Sequence, residues 1–438
     1  YRNYYRDALD RLGVTVNVFR VGKYKSFVEP YVNNAPSRES LEADSFWLND
    51  AWASYTRQVE QARKLSPGAI GKMIDELPVR LASAGGDLAK LALAEKLVDA
   101  LMTRDEFRAV LVKRGAEDAE HKTFRQVSFQ DYRNSLPDTG DRNAQVAVVV
   151  AQGDIIDGDA PQGVIGGRST AELIRHARDD ETVKALVLRV DSPGGSAFGA
   201  ELIRRELEVT RKAGKPVIVS MSDVAASGGY WVSTSADEVL ADPATITGSI
   251  GVFGMVPTFD KTLDKVGVHT GGVTTTWLAG GPDVRRPLDP RLGQVIQATV
   301  GHIYQEFLAR AAASRHATAE QIEEVAQGRV WTGRQARERQ LVDGFGGLAA
   351  AIHDAAQHAK LGPGFRTAYL ELEPRGLNRL LDILAERAAR AALRTFGPIP
   401  TRLIGLEARA RVGADFEAIL SADATSPQVL AHCLCRAP

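Results

Sequence analysis

Apolar residues run almost unbroken through QVAVVVAQG (145–153), ALVLRV (185–190) and PVIVSMS (216–222). Short runs of this kind, rich in β-branched residues, predict strands buried on both faces. Residues 169–179 and GAELIRRELEVTRKAG (199–214) read as helices between them, and AASGGYWVSTSA (225–236) begins a third. Ser169, with Glu172 three residues on, has the form of a capping box, and Gly214 is a stop signal. This β-α-β-α-β-α order predicts an α/β fold with a largely parallel sheet covered by helices.

The chain also repeats itself. ALDRLGVTVNVFRVGKYKS near the start resembles TLDKVGVHTGGVTTTWLAG, with Leu9-Asp10 matching Leu263-Asp264 and Gly13-Val14 matching Gly267-Val268, an offset of 254 (263 − 9). Leu97-Val98-Asp99 matches Leu341-Val342-Asp343 at an offset of 244 (341 − 97), so about ten residues are missing from the later copy. Matching order with a small length change indicates a duplicated domain. Residues 1–114 are then the C-terminal half of a first repeat, 115–144 a polar linker containing LPDTGDRN, 145–362 a complete second repeat, and 363–438 a C-terminal extension. The extension has a strand candidate (366–372) and an Arg-rich amphipathic helix (377–393), which reads as a packing helix, with a membrane-surface role as the other use.

Bulk properties narrow the classes. The 438 residues carry a net charge of −1, which gives no global attraction to nucleic acid or an anionic membrane. No run approaches eighteen apolar residues, so no transmembrane helix is expected. The opening YRNYYRDALDRLGV has neither an initiator Met nor an apolar leader, and reads as the middle of a domain of a longer protein. The two cysteines, Cys433 and Cys435, are one residue apart, a poor spacing for a disulfide or a zinc site. No metal or cofactor is expected.

Ser227 follows a buried strand and opens a helix, flanked by Ala225, Ala226, Gly228 and Gly229. Small neighbours let a substrate backbone approach, the logic of a nucleophile elbow, although a serine there also serves as a helix cap. The turn Asp191-Ser192-Pro193-Gly194-Gly195 ends the preceding strand on the same sheet edge. One N–H of Gly194-Gly195 together with that of Gly228 would make an oxyanion hole. The turn alone also reads as a tight bend needing positive φ.

A serine nucleophile needs a base. His302, His353 and His358 fall on predicted helices, His176 lies among polar helix residues, His316 and His432 read as exposed, and His121 is in the linker. His269 alone lies near a strand of the right half, so a lysine base is considered. Lys25 follows the strand VNVFRV, and its counterpart at offset 254 is Ala279. The later copy keeps the serine without the lysine, and the earlier copy keeps the lysine without the serine half. A site shared between copies accounts for both, against the ordinary reading of a lysine as a solvated surface group.

Together VGKYKSFVEP, VDSPGGS, VAASGGYW and TGSIGVFG resemble the signal peptide peptidase A family in its long tandem-repeat bacterial form. The resemblance covers nearly the whole chain. It implies a Clp-protease/crotonase-like fold, tandem duplicated, with the first copy here incomplete at its N-terminus. It implies a Ser–Lys serine endopeptidase that degrades cleaved signal peptides and other apolar peptides, with nucleophile Ser227, base Lys25, a lysine-coordinating Ser249, and an oxyanion turn at Gly194-Gly195. It further implies a homotetramer tethered to the cytoplasmic membrane and facing the periplasm. The family begins with a membrane anchor and a complete first repeat, which this sequence does not contain.

Two other readings remain. An acyl-CoA hydratase or isomerase of crotonase type would share the fold and a Gly-Gly oxyanion hole, but needs paired carboxylates nearby, and only Glu201 and Glu206, on a helix, are close in sequence. A catalytically silent assembly protein on the same scaffold is the alternative of a different class.

Overall fold

Alternate residues of the central strands go to opposite faces of one sheet, and both faces are covered. Val149, Leu186, Leu188 and Val219 pack with Ile203, Leu207, Val300 and Phe307 on one side. Val146, Val148, Ala185, Val187 and Ile218 pack with Ala351, Ala355 and Ala356 on the other. This is why the strand sequences are apolar at nearly every position rather than alternating. The computed structural model describes residues 2–136, 141–161, 163–371 and 429–432. The helix candidate 377–393 and both cysteines lie outside the described residues.

The large sheet has the order Val330–Thr332, Ile246–Gly248, Val217–Ala226, Val183–Ser192, Asp141–Gln152, Phe365–Leu370, with Glu238–Ala241 and Gly344–Phe345 also attached. Its pairings are parallel except that between 246–248 and 330–332. The helices Gly167–Asp179 and Ala197–Lys212 are crossovers between successive parallel strands, as the β-α-β order predicts. A second sheet runs in the order Thr15–Val21, Val252–Thr258, Val429–His432, Gly194–Ser196, Ile155–Ile156, Ile165–Gly166. The α/β class and the largely parallel main sheet are as expected.

Several local expectations change. Ser169 is not an N-cap: the helix starts at Gly167 with Gly166 as its cap, and the Ser169 hydroxyl, inside the first turn, bonds back to the Gly166 carbonyl. Gly194 and Gly195 are part of a short strand rather than a free turn, because a strand pairs with them on each side. Part of segment 115–144 has structure of its own: Glu117–Asp118 pairs with Thr123–Phe124, and Phe129–Ser135 is a helix. The following strand begins at Asp141, since Phe365 pairs opposite it.

Packing divides the chain differently from the repeat. Residues up to Trp47 belong with those from Asp141 onward, and Leu48–Gly140 form a second compact unit. The duplication nevertheless shows in local structure. Arg38–Arg63 and Pro290–Arg315 are both helices of 26 residues, followed by left-handed Lys64 and His316 and then by the seven-residue helices Ala69–Asp75 and Ala319–Val325. Each Leu-Val-Asp triplet follows a left-handed residue, Lys96 or Gln340. Each of its aspartates pairs with the arginine ending the 26-residue helix, Arg63 to Asp99 at 2.9 Å and Arg315 to Asp343 at 3.0 Å.

Core position sets the cost of truncation. Leu207 is fully buried, while Val150 on the central strand is 49% exposed. Leu207→Ala is expected to cost about 2–5 kcal/mol. Val150→Ala is expected to stay within roughly 0.5 kcal/mol. Equilibrium denaturation measures both, and equal costs would contradict the assigned packing.

Candidate active site

The 217–226 strand ends at Ala226, and Ser227 caps the short helix Gly228–Ser233 with φ 57° and ψ −115°. A non-glycine residue in such a conformation costs on the order of 1–3 kcal/mol and must be held from both sides. Its N–H donates to the Gly248 carbonyl at 2.8 Å, and its carbonyl accepts from Trp231 N–H at 2.8 Å. The helix behind it is anchored by buried Tyr230, whose hydroxyl donates to the Leu341 carbonyl at 2.8 Å. Ser227 has no solvent exposure.

Lys25 arrives from the other repeat. The 15–21 strand pairs antiparallel with 252–258, Val21 opposite Val252, so the chain turns into Lys25 beside the segment that carries Ser249. Lys25 Nζ lies 2.7 Å from Ser227 Oγ, 3.1 Å from Ser249 Oγ and 3.1 Å from the Ser249 carbonyl oxygen. A neutral amine has two N–H donors and one lone pair. It can give both N–H groups to Ser249 and accept the Ser227 hydroxyl proton. Three N–H groups of an ammonium would also reach the three oxygens, so hydrogen bonding alone does not choose the charge. Burial does: Lys25 is 1% exposed, and desolvation holds its pKa well below the ordinary lysine value.

Among the described residues no carboxylate lies against the Lys25 amine. Glu29, four residues on, is turned to Ser37, accepting from its N–H at 3.0 Å and its hydroxyl at 2.6 Å, with Arg20 at 3.8 Å. Phe27 and Val28 lie in a buried cluster where Phe27 stacks on Phe253 at 4.7 Å. Tyr24 instead joins a polar group, donating to Glu42 at 3.1 Å and accepting from Arg329 at 3.1 Å.

A strap at 327–329 sets the register between the two segments, and nothing in the sequence reading identified it. Tyr24 N–H donates to the Gln327 carbonyl at 2.9 Å, Gly328 N–H to Ile250 at 2.7 Å, and Ser249 N–H to Arg329 at 2.7 Å. One three-residue loop thus holds the lysine segment and the Ser249 segment side by side. Gly328 has φ 76°, and a Cβ there would lie 2.7–2.8 Å from N, Cα and Cβ of Lys25. Its sequence signal is a lone glycine three residues beyond the helix Ala319–Val325, which reads as an ordinary helix end.

The other candidates fall around this group. Gly194 N–H donates to Ser192 Oγ at 3.1 Å, so that donor is already engaged. Gly195, with φ 145°, passes so close to Ile155 that a Cβ would sit 2.2 Å from its carbonyl oxygen. Gly228 is the first residue of the helix after Ser227, where N–H groups have no partner one turn back. His269 is exposed and faces Asp264 at 3.2 Å. Glu201 accepts from Arg204 and from Trp231 Nε1, and Glu206 pairs with Arg175 and Arg178, so neither serves as the free carboxylate of a crotonase-type site. Among the described residues no group of His, Cys, Asp and Glu could hold a metal ion.

Comparison with known proteins gives a consistent result. The model of peptidase family S49 matches residues 2–117 and 209–362. Protease 4 of Salmonella typhi is 42% identical over 379 residues, 86% of this chain and 61% of that protein. Protease 4 of Haemophilus influenzae is 39% identical over 81% of this chain and 58% of its own length. The chloroplastic serine protease SPPA of Arabidopsis thaliana is 34% identical over 86% and 55%. The chain therefore spans about three fifths of the length of these curated relatives. Among solved structures, a mutant of ClpP1 from Listeria monocytogenes matches at a TM-score of 0.31 and 11% identity, covering 47% of this chain and 94% of that one. A mutant of the 1510-N membrane-bound stomatin-specific protease in complex with a substrate peptide matches at 0.32 and 14%, covering 56% and 98%.

Two measurements probe the buried amine and its strap. Between its lowered folded pKa and the ordinary value near 10.4, Lys25 binds a proton in the unfolded chain but not in the folded one. Stability from this position therefore rises with pH across that window and falls as pH drops through it. Lys25→Met has no such dependence. The stability of wild type minus that of Lys25→Met is expected to climb between pH 7 and 10 in denaturation experiments; a flat difference would mean a charged lysine in the fold. Separately, Gly214 also has positive φ (87°) but open space where a Cβ would go. Gly328→Ala is expected to cost about 1–3 kcal/mol more than Gly214→Ala, the overpacking against Lys25. Equal costs would remove the strap from the account.

Proposed function

We propose that this chain, which belongs to peptidase family S49, is a serine endopeptidase in which Ser227 attacks the scissile carbonyl and Lys25 takes its proton. The observation that carries this reading is the 2.7 Å contact between Lys25 Nζ and Ser227 Oγ, fully buried and with no carboxylate on the amine.

The chemistry follows from that contact. Neutral Lys25 accepts the Ser227 proton as Oγ bonds to the carbonyl carbon, and the ammonium so formed stays bonded to Ser249. The developing oxyanion is received by N–H groups of Gly195 and Gly228. Gly194 joins them only if Ser192 Oγ releases its N–H. As the tetrahedral intermediate collapses, the ammonium passes its proton to the leaving amine. Lys25 then deprotonates the water that hydrolyses the acyl-enzyme, and returns that proton to Ser227. Ser249 touches the lysine rather than the substrate and acts as a positioning residue.

Cleaved signal peptides and other apolar peptides are the substrates that fit. A net charge of −1 selects for neither acidic nor basic peptides, and two of the similar proteins are named for proteolysis alone, as Protease 4. We further propose a homo-oligomer, of four subunits by family resemblance, held at the periplasmic face of the cytoplasmic membrane. Trp52, Tyr55, Val79, Leu88 and Phe107 in the 48–140 unit are exposed apolar side chains of the kind an assembly would cover. Among the described residues no helix is long and apolar enough to cross a membrane, so attachment would come from elsewhere.

Substitution separates this reading from a silent scaffold. Ser227→Ala is expected to fold normally, lose fluorophosphonate labelling, and lose on the order of 10⁶ in kcat on a Leu/Ala-rich peptide. Lys25→Arg is expected to be inactive although a long basic side chain is kept, because a guanidinium stays protonated and cannot take the Ser227 proton. Wild-type rate should rise with pH through one ionisation below that of free lysine, since only the neutral amine is a base. Ser249→Ala should retain reduced activity. An active Lys25→Arg protein would refute the dyad, and a wild type that neither labels nor cleaves would support the scaffold reading.

A further inference from the structure

Arg329 supplies no group to the reaction, yet it sits where the two halves of the site are joined. Its carbonyl accepts the Ser249 N–H at 2.7 Å. Its Nη1 donates to the Tyr24 hydroxyl at 3.1 Å and lies 2.9 Å from Glu42 Oε1. Tyr24 closes the triangle by donating to Glu42 Oε2 at 3.1 Å. Tyr24 is the residue before Lys25. One residue thus holds the Lys25 segment by its side chain and the Ser249 segment by its backbone.

Aromatic walls fix that side chain. The guanidinium carbon lies 4.8 Å from the Tyr24 ring centre, 4.7 Å from that of Trp331 and 5.2 Å from that of Phe46, in range for cation–π attraction. The Arg329 side chain is 14% exposed, against 56% for Glu42. Its Nε is buried and finds no acceptor among the described residues. A buried donor left unmatched is costly, so something other than its own hydrogen bonding sets the place of this group. Trp331 extends the same wall toward the nucleophile. A Cβ on Gly248 would come 2.8 Å from Trp331 Cδ1 and 3.0 Å from the Arg329 carbonyl oxygen. Gly248 is the residue whose carbonyl accepts the Ser227 N–H.

We propose that Arg329 is a positioning residue of the active site, clamping Tyr24 so that the Lys25 amine stays in line with Ser227 and Ser249. This rests on the peptidase reading of the same site. Arg329 and Glu42 offset each other in charge, so the clamp acts by geometry. With it open, the lysine segment can shift against the Ser249 segment, and a displacement of about 1 Å at reacting groups can cost on the order of 10² in rate. Such a shift lowers kcat and leaves peptide binding alone.

The test compares the full chain with Arg329→Met and Tyr24→Phe. The second variant keeps the ring and removes only the hydroxyl, so it preserves the fold if the first does not. Arg329→Met is expected to lower kcat on a Leu/Ala-rich peptide on the order of tenfold to a hundredfold, and to slow fluorophosphonate labelling by the same factor. KM is expected to stay within about twofold. Tyr24→Phe is expected to do the same to a smaller degree. Amide exchange in a Ser227→Ala background, which needs no activity, is expected to lose protection at Tyr24, Ser249 and Gly328 in both variants. Leu188 and Val219 in the central strands should keep theirs. Unchanged kcat and unchanged exchange would overturn the proposal. So would a raised KM at constant kcat, which marks a substrate contact, or protection lost throughout the sheet, which marks a residue of general stability. Protection lost only at the three amides, in a protein whose wild type neither labels nor cleaves, would sustain the clamp and sink the peptidase reading instead.

Discussion

A lysine amine with almost no access to water is the constraint on which the rest of this structure depends. Left charged, it would carry a desolvation cost of several kcal/mol per ion that no nearby carboxylate offsets. Three oxygens, Ser227 Oγ, Ser249 Oγ and the Ser249 carbonyl, give it hydrogen bonds in either state, and burial tilts it toward the neutral amine. That arrangement needs segments some two hundred residues apart in the chain to meet within about a bond length's tolerance. The pairing of 15–21 with 252–258, the strained backbone at Ser227 and the strap at 327–329 all serve that meeting.

Duplication explains how such a site arises from one chain. The two copies retain matching helices of 26 residues and matching Arg–Asp pairs, so their frames are alike. Their surroundings are not. Leu341 and Val342 are buried in the later copy, whereas Val98 in the earlier copy is 38% exposed. The strand that leads to Lys25 in the first copy, Thr15–Val21, has no strand counterpart around 269–275 in the second. In this sequence Lys25 lies in the earlier copy and Ser227 in the later one.

Much of this was legible in the sequence, for physical reasons that differ by element. The central strands were readable because burial on both faces forbids polar interruptions, as at 145–152 and 185–190. Lys25 was singled out by what the later copy lacks at Ala279 and by the resemblance carried on the motif VGKYKSFVEP. The strap was invisible because its work is done by backbone groups of Gln327, Gly328 and Arg329, and main-chain hydrogen bonds between loops leave no periodic pattern. The 429–432 strand was missed for a related reason: four residues are too few for alternation to register, and its partners are set by tertiary position. Ser169 failed as a cap because a serine in the first turn can bond backward as readily as forward.

The central claim is that the folded protein holds Lys25 as a neutral amine against Ser227. Nitrogen-15 NMR of lysine side-chain amines, with the Lys25 signal assigned by its absence in a Lys25→Met sample, measures this directly. The account predicts one lysine nitrogen that titrates well below the others, which cluster near 10.4. A Lys25 signal that stays in the ammonium range until the bulk of the lysines titrate would contradict it.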